Sequence, residues 1–491
     1  MELFIQGFSM IFHVHYFLYM IVGVTLGTIL AFLPGLSAAT GIAILLPLTY
    51  GMPPLDALVL LMSTYSGGLF GGGVTAILIN TPGSPASIVT TFDGHPMHLR
   101  GETERALGLA LASSFVGAII GTAFLVIAAE PMAAFATKFG PGELFWVAIF
   151  GLSMLSCMAD DVVKSLFSGF IGILLGTVGI SDLGVVRGTF GNVYLMEGIP
   201  LVPTLIGLLA LPAVIDLLSM KLGESAIAQK VNGKKLLKGL IEVFHHPVQA
   251  VLCSLGGVIV GVIPAAGASI ASLLCYNLSK QFSKTPEKFG TGCPEGIIAC
   301  ETANNASEGG ALATMFVLGI PGSNAAAMML GALALFGWPT GPRMFSQYAE
   351  IIYAAFSSLA LQQIVMVVVG LGLCFCAAKI AKLPVKYLAP AIVAFLIVGV
   401  YSCRYTIFDC GLMLFFCIVG WYMKRSNYPV MPLVLGLLLG GMADSELMRI
   451  YQAFDSFWDI FRSPIVCALA AISIISMLLP TIMKKVKTTK G

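Results

Sequence analysis

The sequence predicts an all-α polytopic membrane protein built around two inverted repeats that contain broken or re-entrant helices. Three observations carry that reading: a scarcity of charge, a succession of long apolar runs, and three landmarks that recur in the same order. Of 491 residues, 58% are hydrophobic and 10% charged, with a mean hydropathy of +0.95. An ordinary soluble protein carries about 25% charged residues. Too little charge remains here to coat the roughly two to four domains that a soluble chain of this length would form. A bilayer is the solvent that fits.

The net charge of +2 gives no reason to expect a nucleic-acid partner. Of the 11 cysteines, many sit inside apolar runs (Cys374, Cys376, Cys410, Cys417) without metal-ligand spacing, so they read as small buried residues. The amino-terminal MELFIQGF lacks the basic region of a cleaved signal peptide, and insertion of the chain whole is expected.

A spanning helix needs about 20 mainly apolar residues. Such runs lie near Tyr16–Phe32, Leu55–Ile79, Ala106–Ala129, Leu144–Met158, Ser165–Val178 and Leu201–Met220. After a polar stretch come Pro247–Ile263, Gly296–Leu318, Ile351–Ala378, Val385–Tyr401, Ile407–Met423, Pro429–Met442 and Ile465–Met483. Two shorter pieces, Ser37–Tyr50 and Ala268–Ser279, bring the expected crossings to roughly eleven to fifteen. The chain accordingly divides into an amino-terminal membrane half with the first repeat (1–220), a basic loop (221–246), the second repeat (247–378) and carboxy-terminal helices (379–491).

Lysine and arginine set the orientation, because cytoplasmic loops carry the excess. The loop Lys221–His246 is placed inside, as are Lys379, Lys382 and Lys386, Lys424 and Arg425, and the tail lysines from Lys484 to Lys490. Counting crossings puts the amino terminus outside, together with a loop holding Asp444, Glu446, Asp455 and Asp459. Lys138, Arg187, Arg343 and Arg404 are then isolated positive charges on the outer face.

The recurring landmarks are specific. Gly27 to Ser37, centred on Pro34, resembles Gly257 to Gly267, centred on Pro264. Ile79-Asn80-Thr81-Pro82-Gly83-Ser84 resembles Leu318-Gly319-Ile320-Pro321-Gly322-Ser323, and Gly94-His95-Pro96 resembles Gly337-Trp338-Pro339. The crossing count puts the last two loops on opposite faces, the signature of inverted repeats in secondary transporters.

In each repeat an apolar run stops at Pro-Gly-Ser and restarts at once. Ser84 before Pro85 reads as a helix cap followed by a first-turn proline, and Ser323 before Asn324 reads similarly. Each restart offers free N–H groups suited to a carboxylate. The preceding ends offer carbonyls near Thr81 and Ile320, suited to a small cation such as Na⁺. The expected binding residues are therefore Asn80, Thr81, Gly83, Ser84, Gly322, Ser323 and Asn324, with the adjacent amides Asn304 and Asn305 beside them. Two neighbouring amides in an apolar span cost free energy unless they find partners. Interhelical hydrogen bonding is the alternative use for them. Glu301 and Glu308 flank them, as ion-coupling groups or as interfacial residues. No catalytic constellation is evident: the six histidines include no His-Glu-x-x-His, so an enzyme is not expected.

These stretches resemble the large membrane subunit of tripartite tricarboxylate transporters. The matching segments are LPGLSAATGIAILLPLTYG, ILINTPGSPASIVTTFDGHPM, RGTFGNVYLMEGIPLVP, PEGIIACETANNASEGGAL and LGIPGSNAAAMMLGAL. The resemblance implies about 12 transmembrane helices, a small four-helix membrane partner and a periplasmic solute-binding protein. It also implies symport driven by a Na⁺ or H⁺ gradient, for citrate or related organic carboxylates, across a bacterial inner membrane, with no cofactor. The sequence departs from the family pattern at Ala265, Cys300 and Thr314, where that family usually has Gly, Pro and Pro. The large membrane subunit of a C4-dicarboxylate tripartite transporter is the alternative; the amide pair and the paired Pro-Gly-Ser breaks argue against it.

Overall fold

Apolar runs that begin at a proline become helices beginning at that proline, since the first turn needs no N–H there and the ring presets φ. Pro54, Pro141, Pro247, Pro294, Pro342 and Pro464 each open one. The computed structural model describes residues 2–33, 35–158, 161–181, 183–219, 232–264, 267–339, 341–380 and 385–488. In order the helices are α1 (Glu2–Ile11), α2 (Val14–Ala31), α3 (Ala38–Leu45), α4 (Pro54–Ile79), α5 (Ile88–Leu99), α6 (Thr103–Ala136), α7 (Pro141–Met158), α8 (Val162–Gly176), α9 (Leu201–Leu205) and α10 (Leu211–Ser219). There follow α11 (Gly233–Glu242), α12 (Pro247–Val262), α13 (Gly267–Phe282), α14 (Pro294–Leu318), α15 (Asn324–Leu335), α16 (Pro342–Ile380), α17 (Val385–Arg404), α18 (Ile407–Arg425), α19 (Val430–Ala453) and α20 (Pro464–Thr488). A small antiparallel pair, β1 (Gly179–Ile180) and β2 (Val186–Arg187), lies between α8 and α9.

Among the described residues, 7 helices are long and apolar enough to cross a membrane, or 8 if the bent pair α11–α12 counts as one span. Shorter apolar helices include α3, α7, α8, α15, α17 and α20. The architecture is an all-α, multi-pass membrane fold.

Helices α4 and α14 form its centre, and both are buried along nearly their whole length. They run antiparallel: Ser66 meets Glu308, the Leu69 carbonyl meets Asn304, and Gly73 meets Glu301. On one flank α2 packs against α4, and on the other α12 packs against α14. The two flanks touch in matched fashion. A Cβ at Gly27 would overlap the Thr64 carbonyl, and one at Gly257 the Ala303 carbonyl; Gly71 abuts Thr28 as Gly310 abuts Val258. Such close backbone approach is how small residues hold helices together where no water-driven collapse is available. Helix α6 covers the far side of α14, while α7, α8, α19 and α20 form a lateral bundle.

Polar contacts tie together segments that the charge distribution assigns to one face. Arg105 holds Glu242 at 2.5 Å, Lys164 donates to the Ser426 carbonyl at 3.1 Å, and Lys424 pairs with Asp216. On the other face Arg187 pairs with Asp444, and Arg404 lies 3.7 Å from Asp409.

Several expectations are corrected. Arg187 and Arg404 are not isolated charges, because each has an acidic partner. Asp444 and Glu446 are not in a loop: α19 continues to Ala453, since Arg187 and Arg449 neutralise the two carboxylates and the helix need not end to hydrate them. The Lys221–His246 segment is not wholly a loop. Over Gly233–Glu242 it is helical, with Leu236 and Gly239 buried against α6; residues 221–231 lie outside the described residues. The Gly94-His95-Pro96 landmark is the last part of α5, where Gly94 packs on Ile77. Its sequence counterpart Gly337-Trp338-Pro339 instead follows α15, and the turn after α5 is made by Gly101 at φ 78° as that after α15 is made by Gly337 at φ 68°. Pro34, Ala265 and Lys382 lie outside the described residues, as do the side chains of Lys379, Lys386 and the tail lysines.

Candidate functional site

Each central helix ends in the way its sequence dictates. A residue before proline is biased out of the α region, and α14 ends ahead of Ile320-Pro321. Gly319 takes φ 72°, its N–H meets the Met315 carbonyl at 3.0 Å, and the Ile320 N–H reaches Thr314 at 3.4 Å. The Gly319 bond to Met315 is that of a left-handed helix end, which a glycine makes without strain. Helix α4 stops before Thr81-Pro82 with Asn80 at φ 52°, a left-handed conformation that asparagine tolerates better than most residues.

Beyond each stop the chain folds back along its own helix. The Gly83 N–H reaches the Gly72 carbonyl at 3.4 Å. A Cβ on Gly83 would run into Ala31 and Gly72; one on Gly322 would run into Gly261 and Ala311. These neighbours correspond position for position in the two hairpins. Helix α15 then starts at Ser323, whose Oγ accepts from the Ala326 N–H at 3.1 Å, a working cap. At the first break the expected cap is not made. Pro85–Ser87 is a 3₁₀ turn in which the Ser87 N–H bonds the Ser84 carbonyl at 3.0 Å. That occupies the donor a capping hydroxyl would need, and Ser84 Oγ sits 3.1 Å from Ser87 Oγ instead.

The breaks lie at different heights along α4. Ser84 and Ser87 sit beside Gly72, whereas the Tyr65 hydroxyl lies 2.8 Å from Ser323 Oγ. The interval is two to three helical turns, on the order of 10–15 Å. Asn80, Pro85 and Asn324 are exposed, and Thr81, Ser84 and Ser323 half-buried. Thr81 donates to the Ile79 carbonyl at 3.2 Å, and Ile320 is buried against Gly151.

The interval between the breaks is filled by a polar stripe on α14. Glu301, Asn304, Asn305 and Glu308 are all at most 2% exposed, so neither glutamate is interfacial. Glu301 accepts from Thr90 at 2.5 Å and from Ser114 at 3.3 Å; Glu308 accepts from Ser66 at 2.9 and 3.1 Å. Asn305 donates to Ser114 at 2.9 Å and to the Glu301 carbonyl at 3.0 Å, while Asn304 reaches the Leu69 carbonyl at 3.5 Å. The side-chain oxygens of both asparagines are buried and accept no hydrogen bond among the described residues. Gln363 donates to Ser66 at 3.1 Å and Gln362 accepts from Ser63 at 2.5 Å, extending the network onto α16.

Sequence reasoning missed Tyr65, Ser66, Thr90, Ser114 and the Gln362-Gln363 pair. The signal for the last was present, since adjacent amides in an apolar run are as costly there as at Asn304-Asn305. Asp93 proves to be a clamp. Its carboxylate accepts from Tyr276 and from the N–H groups of Gly290, Gly292 and Cys293 at 2.7–2.9 Å, holding α5 to the start of α14.

The profile of the tripartite tricarboxylate transporter TctA family matches residues 17–435, from α2 into α19 and including both breaks and the stripe. The chain belongs to this family. As a TctA-family protein it is a multi-pass membrane component of a multi-subunit transporter. It is 34% identical over 472 residues to an uncharacterized 52.8 kDa protein in the TAR-I ttuC' 3' region of Agrobacterium vitis, covering 94% of this chain and 93% of that one. It is also 30% identical over 233 residues to a protein in the TAR-II ttuC' 3' region of the same organism, covering 47% of this chain and 96% of that one. No solved structure matches it.

Proposed function

We propose that this TctA-family chain is the large transmembrane subunit of an ion-gradient-driven importer in a bacterial inner membrane. Its substrate is a tricarboxylate such as citrate, or a related organic carboxylate, delivered by a periplasmic solute-binding protein. A small four-helix membrane subunit completes the assembly. The observation that carries the substrate reading is the pair of matched helix breaks. In each, a glycine lets backbone approach backbone and a helix restarts at a half-buried serine, through a cap on the Ala326 N–H at Ser323 and through a 3₁₀ turn at Ser84. Helix starts favour anions, and two of them roughly 10–15 Å apart suit the two ends of a polyanion.

The antiparallel α4 and α14, with flanks that match contact for contact, are read as the cores of two inverted repeats, spanning 1–220 and 247–378. The basic 221–246 segment joins them, and 379–491 adds peripheral helices. Binding is assigned to Asn80, Thr81, Gly83 and Ser84 with Gly322, Ser323 and Asn324. Asn304 and Asn305 lie behind these residues, and their unsatisfied oxygens suit a cation or a substrate hydroxyl. For coupling, the carbonyls of Thr81 and Ile320 suit Na⁺, and the buried Glu301 and Glu308 suit H⁺, since each is hydrogen-bonded by hydroxyls. The deciding experiment is uptake by the reconstituted complex from a panel of carboxylates under separate Na⁺ and H⁺ gradients. Uptake that needs neither gradient, or full-rate uptake by this subunit alone, would overturn the reading.

A further inference from the structure

Helix α11 and the turn after it meet α12 at 79°, so where α12 crosses the membrane α11 lies close to its plane. Its depth is fixed by α6: Gly239 and Leu236 pack on Arg105 and Gly108, in the first turns of that spanning helix. Three faces then have three uses. Leu236, Gly239 and Val243 are buried. Leu237, Ile241 and Phe244, at i, i+4 and i+7, form an exposed apolar stripe. Lys234, Lys238 and His245 form the stripe next to it, also exposed, with Lys235 beside them. An apolar stripe bordered by lysines is the pattern of a helix seated in the headgroup region.

Two cavities meet at this corner and share His245 and His246. The first, about 550 Å³, is lined by Lys234, Lys238, Leu237 and Ile241. The second, about 610 Å³, runs between α12 and α13 along Val248, Leu252, Leu274, Leu278 and Phe282. It narrows at Gly256, where a Cβ would come within 2.8 Å of Cys275 Sγ. Two acidic groups border the corner. Glu242 is bound by Arg105 at 2.5 and 2.7 Å, and Glu295 accepts from Cys293 at 2.8 Å and sits next to His246.

We propose that this corner is a binding site for an acidic phospholipid. Lys234 and Lys238 hold the phosphate of the headgroup, and the α12–α13 groove takes an acyl chain. A basic cavity opening into an apolar groove matches one ligand with an anionic head and a long apolar tail. A peptide helix from a partner would have no use for the lysine-lined end. The bound lipid braces α11 against α12, at the foot of the hairpin that carries α14.

The test is native mass spectrometry of the purified full chain, titrated with phosphatidylglycerol, phosphatidylcholine or inorganic phosphate. The expected result is selective retention of phosphatidylglycerol. Lys234→Gln and Lys238→Gln each weaken it about fivefold, the equivalent of roughly 1 kcal/mol per lysine. Leu278→Trp, which fills the groove, weakens it while thermal unfolding stays unchanged. Equal retention of the two lipids, indifferent to the lysine changes, would mean ordinary boundary lipid and overturn the proposal. So would inorganic phosphate displacing the lipid with no effect of Leu278→Trp, which would mean an anion site without a tail. Loss of the lipid whenever the other membrane subunit assembles would assign the groove to protein and overturn it as well.

Discussion

The α2–α4 hairpin and the α12–α14 hairpin share a backbone design but not a chemistry. Gly27 and Gly257, Gly71 and Gly310, Gly83 and Gly322 make equivalent close contacts. Thr75 donates to the Gly72 carbonyl at 3.0 Å as Thr314 does to Ala311 at 3.2 Å. Yet where α14 has Glu301, Asn304 and Glu308, the matching positions of α4 are Met62, Tyr65 and Leu69. The shared glycines and threonines build the scaffold. The acids and amides of α14, facing hydroxyls of α4, α5 and α6 and a carbonyl of α4, concentrate the polar work on α14. Where the family usually places proline, this chain has Cys300 and Thr314, and α14 runs unbroken for 25 residues beneath the stripe.

The largest effect is expected where the two hairpins are most alike. Gly83→Val and Gly322→Val each force a side chain into a neighbouring backbone, with an overpacking cost of about 1–3 kcal/mol. Uptake at equal membrane expression should fall below detection for both. Wild-type uptake by one of them would break the equivalence of the breaks. Next come the acids that only α14 carries. Glu301→Gln and Glu308→Gln keep size and hydrogen-bonding capacity but remove a proton site, so gradient-driven uptake should drop about tenfold or more, ~1.4 kcal/mol of barrier. Substrate affinity measured without a gradient should hold. Unchanged uptake in both variants would remove the carboxylates from coupling and leave the backbone carbonyls.

A smaller effect is expected at the bridge between hairpins. Tyr65→Phe deletes the hydroxyl on Ser323, a loss of about 1 kcal/mol. Substrate binding should weaken about fivefold in a direct binding assay. The smallest and most discriminating comparison is between the serines. Ser323→Ala removes a made cap and should lower stability by about 1 kcal/mol, read as a drop in the melting temperature. Ser84→Ala removes none and should stay within about 0.5 kcal/mol of the parent. A larger loss at Ser84 would show that the first break is capped in the membrane as the second is.

Much of this fold is legible because apolar length is a strong signal. The runs Leu55–Ile79 and Pro247–Ile263 agree with α4 and α12 to within one residue. The breaks are equally legible, since Ile320-Pro321 and Thr81-Pro82 disfavour a continuing helix and each is followed at once by Gly-Ser. What misleads is charge. Asp444 and Glu446 read as loop residues because their partners Arg187 and Arg449 are not yet known to be near. Lys234, Lys235 and Lys238 hide an amphipathic helix whose spacing of Leu236, Gly239 and Val243 was there to be seen. Helix α1 escapes because it is only 10 residues long; its place is set by Gly7 packing on Tyr353 and Ser357 of α16.

The sequence by itself determined the solvent, the longest apolar helices, the two helix breaks and the family, because each depends on local pattern or on composition. Only the tertiary structure decided that Ser323 caps and Ser84 does not, that Glu301 and Glu308 are buried rather than interfacial, and that Tyr65, Ser66, Thr90 and Ser114 are their company. Those outcomes hang on which helices cross and at what height. Crossing is fixed by glycine contacts between residues far apart in the chain, such as Thr64 with Gly27 and Ala303 with Gly257, and no window along one helix contains that information.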